Sequence, residues 1–364
     1  MKINQLTFTR FLAAISIVIF HAKSNIYPFN LPFLHTIFNN ANVGVSYFFI
    51  LSGFVMIIAY GKDKSIKIDP PSYYINRFAR IYPLYFFGLF LAVMLSIKGH
   101  GLSPSNFLLQ LFALQSWVPG SVLELNAPGW SLSVEALFYI SFPFIFNYIY
   151  RKSSFRLIFI SAIGLWITTQ IIVNYLYLSS FYKGYPSKAH DFLFYFPLMH
   201  INEFVIGNFL GFIYLKFNNI RRNFDLLIIA IFALMLFLLS LDTVINYHDG
   251  LMAICFMPLI LFIALNKGII STAFSNKHLI LLGEASYSIY ILQNPIKGLI
   301  YFLFKKLHVN NENLMFYTYL LLLIMISISC YYFIEVPAKN WLKNLKVFKA
   351  EKRKLKPADD KVNF

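Results

Sequence analysis

Two ionisable side chains, Arg10 and His21, interrupt the first apolar run of the chain. On one helix, at ~1.5 Å per residue, they stand about 16 Å apart, roughly half the hydrocarbon thickness of a bilayer. One helix thus addresses two depths. Charged groups at such positions are functional candidates by default, although Arg10 snorkelling to the headgroups and His21 closing the outer helix end is the structural alternative. A third such group is Glu135, which follows Trp130, Ser131 and Ser133 at the start of a later apolar run. An unpaired carboxylate in the membrane costs about 3 kcal/mol, so it needs a partner, and His21 is expected at a similar depth. An imidazole beside a carboxylate is a general base suited to neutral pH. A purely structural His–Glu bond between helices is the alternative.

A second group lies toward the opposite face. Arg77 and Arg80 are three residues apart, which places both guanidinium groups on one helix face, a geometry suited to phosphate oxygens as well as to simple anchoring at the membrane boundary. Ser52 and Gly53 fall near the middle of the second apolar run. Gly44 and Gly53 are expected to permit close helix approach, and Ser52 is a weak nucleophile candidate with no base placed beside it. His200, Asn202 and Glu203 form a further ionisable cluster that must line a cavity or pair internally. His248, Asp249 and Asp242 are expected to be solvated in an outer loop. Pro295 should kink its helix and free a carbonyl, which Gln293 and Asn294 are placed to satisfy unless they bind ligand. Glu335 is expected to pair with Arg or Lys. Trp130, Ser133, Gln293 and Asn294 are the candidate substrate contacts.

The elements that position these residues are membrane helices. Apolar residues make up 59% of the 364, 41 of them are Phe, and only 13% are charged, which excludes a soluble domain. About ten apolar runs are readable: 6–23, 43–61, 74–98, 129–150, 154–177, 191–216, 224–242, 250–266, 279–304 and 314–334. A shorter run, 106–118, reads as an interfacial or re-entrant piece. The expected architecture is therefore all-α and polytopic. With both termini cytoplasmic, most of the 31 Lys and Arg fall inside, and this topology accounts for the +16 charge without nucleic acid. The start reads as an uncleaved signal anchor, 1–338 as one membrane domain, and 339–364 as a basic cytoplasmic tail. Cys255 and Cys330 fall within spans, so neither a disulfide nor a thiolate metal site is expected. No metal is expected at all.

Six features then combine in order: Arg10 with His21, Phe48-Phe49-Ile50-Leu51-Ser52-Gly53-Phe54, Arg77-Phe78-Ala79-Arg80-Ile81-Tyr82-Pro83, Trp130-Ser131-Leu132 with Glu135, Ser286-Tyr287-Ser288-Ile289-Tyr290, and Ile334-Glu335-Val336-Pro337. Together they resemble the acyltransferase-3 family of integral-membrane acyltransferases, which includes polysaccharide O-acetyltransferases, from Arg10 to Trp341. The resemblance implies acyl-CoA, acetyl-CoA in the first instance, as donor and a glycan hydroxyl as acceptor, in a bacterial inner or plasma membrane. It also implies that Arg10, His21, Arg77, Arg80 and Glu135 matter for activity. CoA phosphates would then meet Arg77, Arg80 and Arg10, with the pantetheine arm passing Ser52. His21, assisted by Glu135, would act as base, either for direct transfer or through an acyl-enzyme. Many members carry His where this chain has Gln293. Membrane lipid and glycan-assembly proteins are the implied partners. A transporter or flippase, with His21 and Glu135 as a proton relay, and a catalytically silent scaffold are the other classes open to this sequence.

Overall fold

The computed structural model describes residues 3–22, 26–96, 103–220, 222–241 and 246–344. Over these residues the chain is all-helical. In order the helices are α1 (Gln5–Phe20), α2 (Pro32–Asn39), α3 (Gly44–Tyr60), α4 (Pro70–Ser96), α5 (Pro104–Leu111), α6 (Trp130–Phe144), α7 (Phe155–Leu178) and α8 (Lys188–Tyr195). They continue with α9 (Ile201–Phe217), α10 (Asp225–Leu239), α11 (Ala253–Leu265), α12 (Ile269–Phe274), α13 (Lys277–Glu284), α14 (Ser286–Lys306), α15 (Glu312–Cys330) and α16 (Val336–Asn344).

Six helical stretches among the described residues are long and apolar enough to cross a membrane: Ala41–Tyr60, Pro70–Ser96, Ala127–Tyr150, Phe155–Leu178, Lys188–Phe217 and Glu312–Trp341. Three shorter apolar helices, Gln5–Phe20, Asp225–Leu239 and Ala253–Leu265, accompany them. Two apolar runs are divided where the sequence suggests one helix. The run at 191–216 is α8, a 3-10 turn over Pro197–His200, and then α9. The run at 279–304 is broken at Ala285, between α13 and α14. The boundary expected at 338/339 falls inside α16, and 345–364 lies outside the described residues, as do Lys23, Ser24 and Asp242.

Without water to drive helices together, membrane helices pack through close van der Waals approach at small residues. The α3–α9 crossing shows this. A Cβ on Gly53 would collide with the Phe204 carbonyl, and one on Gly207 with the Ile50 carbonyl. The two backbones are in direct contact. Gly283 brings α13 equally close to α1, where a Cβ would strike the Thr7 carbonyl. Two apolar clusters result. One is built mainly on α3, α6, α9 and α11, the other on α1, α14 and α15, and Phe48 and Tyr287 pack against both. A cavity lies beside those two side chains.

The short run at 106–118 forms α5 and a 3-10 turn at Gln115–Trp117. It is tucked into the protein: Gln110, Gln115, Ser116 and Asn126 are fully buried. Tyr82 donates to the Leu111 carbonyl, Gln115 Nε2 to the Gly129 carbonyl and Ser116 Oγ to the Trp130 carbonyl. The last two bonds hold the first residues of α6 below the segment that precedes it.

Candidate active site

The cavity, of about 490 Å³, is within the range that holds small-molecule ligands. Arg10, Ser52, Arg77, Arg80 and Glu135 all line it. Thus the expected donor-side residues converge, and Glu135 joins them. Glu284, Glu335 and Lys339 complete the charged lining, with Tyr139, Tyr287 and Tyr290 as aromatic hydroxyls.

Each cation is held differently. Arg77 stands over the rings of Tyr73, Tyr139 and Tyr60, at 5.4, 5.9 and 6.0 Å, and its Nε is buried without a hydrogen-bond partner. Cation–π contact fixes this side chain in place of a carboxylate. Arg10 has Arg80, Glu284, Glu335 and Glu135 as its charged neighbours. Arg80 is exposed. Glu135 Oε2 accepts from the Tyr139 hydroxyl at 3.1 Å, and that hydroxyl lies 3.3 Å from Ser52 Oγ. Ser52 is therefore linked to Glu135 through a phenol. Ser52 Oγ thus faces a phenol and not an imidazole of the kind that activates a serine nucleophile. Glu335 Oε1 accepts from Ser288 Oγ at 2.6 Å and has Arg10 and Arg80 as charged neighbours.

His21 and Glu135 have different partners, which corrects the expected pair. His21 ends α1, is exposed, and places Nδ1 2.9 Å from Gln293 Oε1. The amide of Gln293 is oriented by its other end, because Nε2 donates to the Tyr290 carbonyl at 2.8 Å. Oε1 must then face the imidazole. It accepts a hydrogen bond from Nδ1–H, which makes Nε2 the acceptor nitrogen of the neutral ring. Lys297 Nζ donates to the His21 carbonyl at 2.9 Å and anchors the same turn. Tyr290, which lines the cavity, is three residues before Gln293 on α14, or about 4.5 Å along the helix axis.

Pro295 lies within a continuous α14 and leaves the Ile291 carbonyl without its usual N–H donor. Asn126 Nδ2 supplies the bond at 3.1 Å. Gln293 and Asn294 were the expected donors, and Gln293 instead serves the Tyr290 carbonyl. Asn294 is half-buried and Ser133 fully buried, and neither lines the cavity. Trp130 packs at 4.9 Å from the Tyr195 ring, 5.4 Å from that of His200 and 6.0 Å from that of His248.

His248 and Asp249 are buried, at 4% and 0% exposure, correcting the expected solvated loop. The turn that carries them folds against α9 and pairs with His200. The sequence signal was present in Asp249-Gly250, since both adopt positive φ, 61° and 99°, and reverse the chain sharply. Tyr139 and Glu284 went unrecognised in the sequence. Tyr139 is one helical turn after Glu135, the spacing at which a phenol meets a carboxylate on one face.

A family model for an acyltransferase domain matches residues 3–334. The chain belongs to the acyltransferase-3 family. Among curated proteins it is similar to acyltransferase MdmB of Streptomyces mycarofaciens, 29% identical over 180 residues, covering 46% of this chain and 45% of that protein. It is also similar to the peptidoglycan O-acetyltransferase OatA of Listeria monocytogenes, 23% identical over 286 residues, covering 70% of this chain and 44% of that protein. The match thus spans less than half the length of these relatives. No solved structure matches the chain. The chain thus carries the family's acyltransferase domain together with six helical stretches, among the described residues, long and apolar enough to cross a membrane.

Proposed function

We propose that this acyltransferase moves an acyl group, acetyl in the first instance, from cytoplasmic acyl-CoA to a hydroxyl of a glycan outside the membrane. In this arrangement about ten helices cross a bacterial inner or plasma membrane with both termini inside. The observation that carries the reading is the imidazole of His21, with its tautomer set by Gln293, one turn of α14 beyond the cavity that Arg10, Arg77 and Arg80 line.

CoA phosphates are anionic and meet Arg80 at the exposed edge of the cavity, with Arg77 held rigidly behind it. The pantetheine arm runs along the wall that includes Ser52 and Tyr139, so the thioester reaches the neighbourhood of Tyr290. From outside, the acceptor hydroxyl approaches Nε2 of His21. Nε2 takes the hydroxyl proton as the oxygen attacks the thioester carbonyl, the tetrahedral intermediate expels the CoA sulfur, and the imidazolium returns the proton to that sulfur. Burial of the thioester limits its hydrolysis. Glu135 belongs to the donor cavity in this scheme, where it balances Arg10 and Arg80. Peptidoglycan is a plausible first acceptor to test, because the Listeria relative carries that substrate in its name.

The test is release of CoA thiol from acetyl-CoA by purified protein in nanodiscs, with cell-wall glycan added. Glycan-dependent release that disappears in His21→Ala while labelled acetyl-CoA still binds supports the reading. Acetyl-CoA binding without glycan-dependent release from any preparation tried would refute the proposed acceptor, and absence of binding would refute the donor.

A further inference from the structure

A second polar cluster lies outside the cavity lining, separated from it by aromatic rings such as Phe49, whose ring is 5.2 Å from that of His200. His200 at the start of α9, and His248 and Asp249 in the turn before α11, are all buried. One nitrogen or oxygen from each lies within 4.8 Å of the others. His200 Nε2 is 3.5 Å and His248 Nδ1 3.3 Å from the same Asp249 oxygen, Oδ1. We propose that these three side chains bind a transition-metal dication of the zinc class.

Two imidazoles and a carboxylate are a zinc-type donor set. At ordinary ligand distances of about 2.0–2.1 Å, the two nitrogen–oxygen separations of 3.5 and 3.3 Å each subtend about 105–120° at a shared ion, near the tetrahedral angle. The surrounding residues match what such sites need. His200 Nδ1 lies 2.8 Å from Glu203 Oε2, the carboxylate contact that fixes a metal-binding imidazole with Nε2 toward the ion. Asp249 Oδ2 accepts from Asn246 Nδ2 at 3.1 Å, which leaves Oδ1 directed at the two histidines. The turn itself is anchored: Gln170 Nε2 and Asn202 Nδ2 donate to the Asp249 carbonyl at 2.7 and 3.2 Å, and Trp166 Nε1 to that of Gly250 at 2.7 Å.

Charge balance points the same way. Asp249 and Glu203 are both fully buried, and Glu203 Oε1 has no hydrogen-bond partner. The first turns of α9 and the turn at 246–250 contain no Lys or Arg. Without a metal, neutrality needs two protons shared among these two carboxyls and two imidazoles, whose rings are 5.5 Å apart. His200 Nε2 would then keep its 3.1 Å contact with the Phe194 carbonyl. A dication neutralises both carboxylates while both imidazoles remain neutral, and His200 exchanges the carbonyl for the ion. Such an ion would pin the 246–250 turn to α9 beside Trp130, at the start of α6.

The full chain, purified through a tag that binds no metal, is analysed for metal by mass spectrometry before and after chelator treatment. Zinc at one equivalent per chain is expected, and cobalt added to the stripped protein should give the visible absorption of a tetrahedral site. Asp249→Asn and His248→Ala should each abolish the signal. Glu203→Gln, which preserves shape and keeps all three ligands, should weaken affinity by about 10- to 100-fold. Zinc, but not magnesium, should raise the thermal midpoint of stripped wild-type protein. No metal retention and no cobalt spectrum in folded wild type would overturn the proposal. So would retention that is unchanged in folded Asp249→Asn and Glu203→Gln, since the ion would then be bound elsewhere.

Discussion

Replacing Gln293 by Leu isolates the role assigned to its amide. The substitution keeps the side-chain volume at a position only 1% exposed, so packing on α14 is retained. It removes the acceptor 2.9 Å from His21 Nδ1 and the donor to the Tyr290 carbonyl. The second bond is a neutral one, worth about 1 kcal/mol of stability. The first gains strength as His21 becomes an imidazolium in the transition state. A hydrogen bond to a charged group contributes about 1.5–3 kcal/mol, so kcat should fall roughly 10- to 150-fold at 1.36 kcal/mol per tenfold. KM for acetyl-CoA should be unchanged, because Gln293 does not line the cavity. Steady-state CoA release, with glycan saturating and acetyl-CoA varied, separates the two parameters. Wild-type kcat in Gln293→Leu beside an inactive His21→Ala would show that Nδ1 needs no oriented partner. A raised donor KM at constant kcat would place Gln293 in the donor site and refute the orientation argument.

The other expected outcomes separate the two ends of the site. His21→Ala should lower kcat by about 10²–10⁴-fold, the usual contribution of a general base, with acetyl-CoA binding intact by equilibrium dialysis. Arg80→Ala should raise the acetyl-CoA KM and do so less for an analogue lacking the 3′-phosphate, as read in the same CoA-release assay. Glu135→Gln should alter acetyl-CoA affinity more than kcat, since its partners are Tyr139, Arg10 and Arg80; a kcat loss matching that of His21→Ala with unchanged affinity would restore it as the partner of the base. Gly53→Ala should lower stability by at least about 1–3 kcal/mol through forced separation of α3 and α9, measurable as a reduced thermal midpoint in nanodiscs.

That Arg10, Arg77, Arg80 and Ser52 share one cavity was legible because the expected topology already groups them. Arg77 and Arg80 lie roughly two to three turns into α4 and Arg10 about one and a half turns into α1, near the helix ends that the Lys and Arg distribution suggests are cytoplasmic. The partner of Glu135 was less legible: Tyr139, one helical turn on, takes its carboxylate, while the buried Gln110, Gln115, Ser116 and Asn126 pack the segment before α6 into the protein. Pairing partners distant in sequence left less trace. Gln293 is 272 positions from His21, and no local pattern announces that contact. Asn126 satisfies a carbonyl freed by Pro295, a debt readable in the sequence although its creditor was not. His200 and Glu203 announced that they needed company inside the membrane, whereas His248 and Asp249 looked like ordinary loop residues.

The glycine contact between α3 and α9 has a consequence for selectivity. Neither helix can approach further, and Gly53 and Gly207 leave no side chain between them whose rotation would let the pair slide. Ser52 therefore rides on a stiff wall, and Tyr139 hydrogen-bonds to it across the cavity. A chamber bounded in this way acts as a gauge. With the donor bound there as proposed, an acyl group longer than the one it accommodates would have to protrude toward Tyr290 or displace the donor toward Arg80, so discrimination by chain length would come from fixed dimensions instead of from a closing movement.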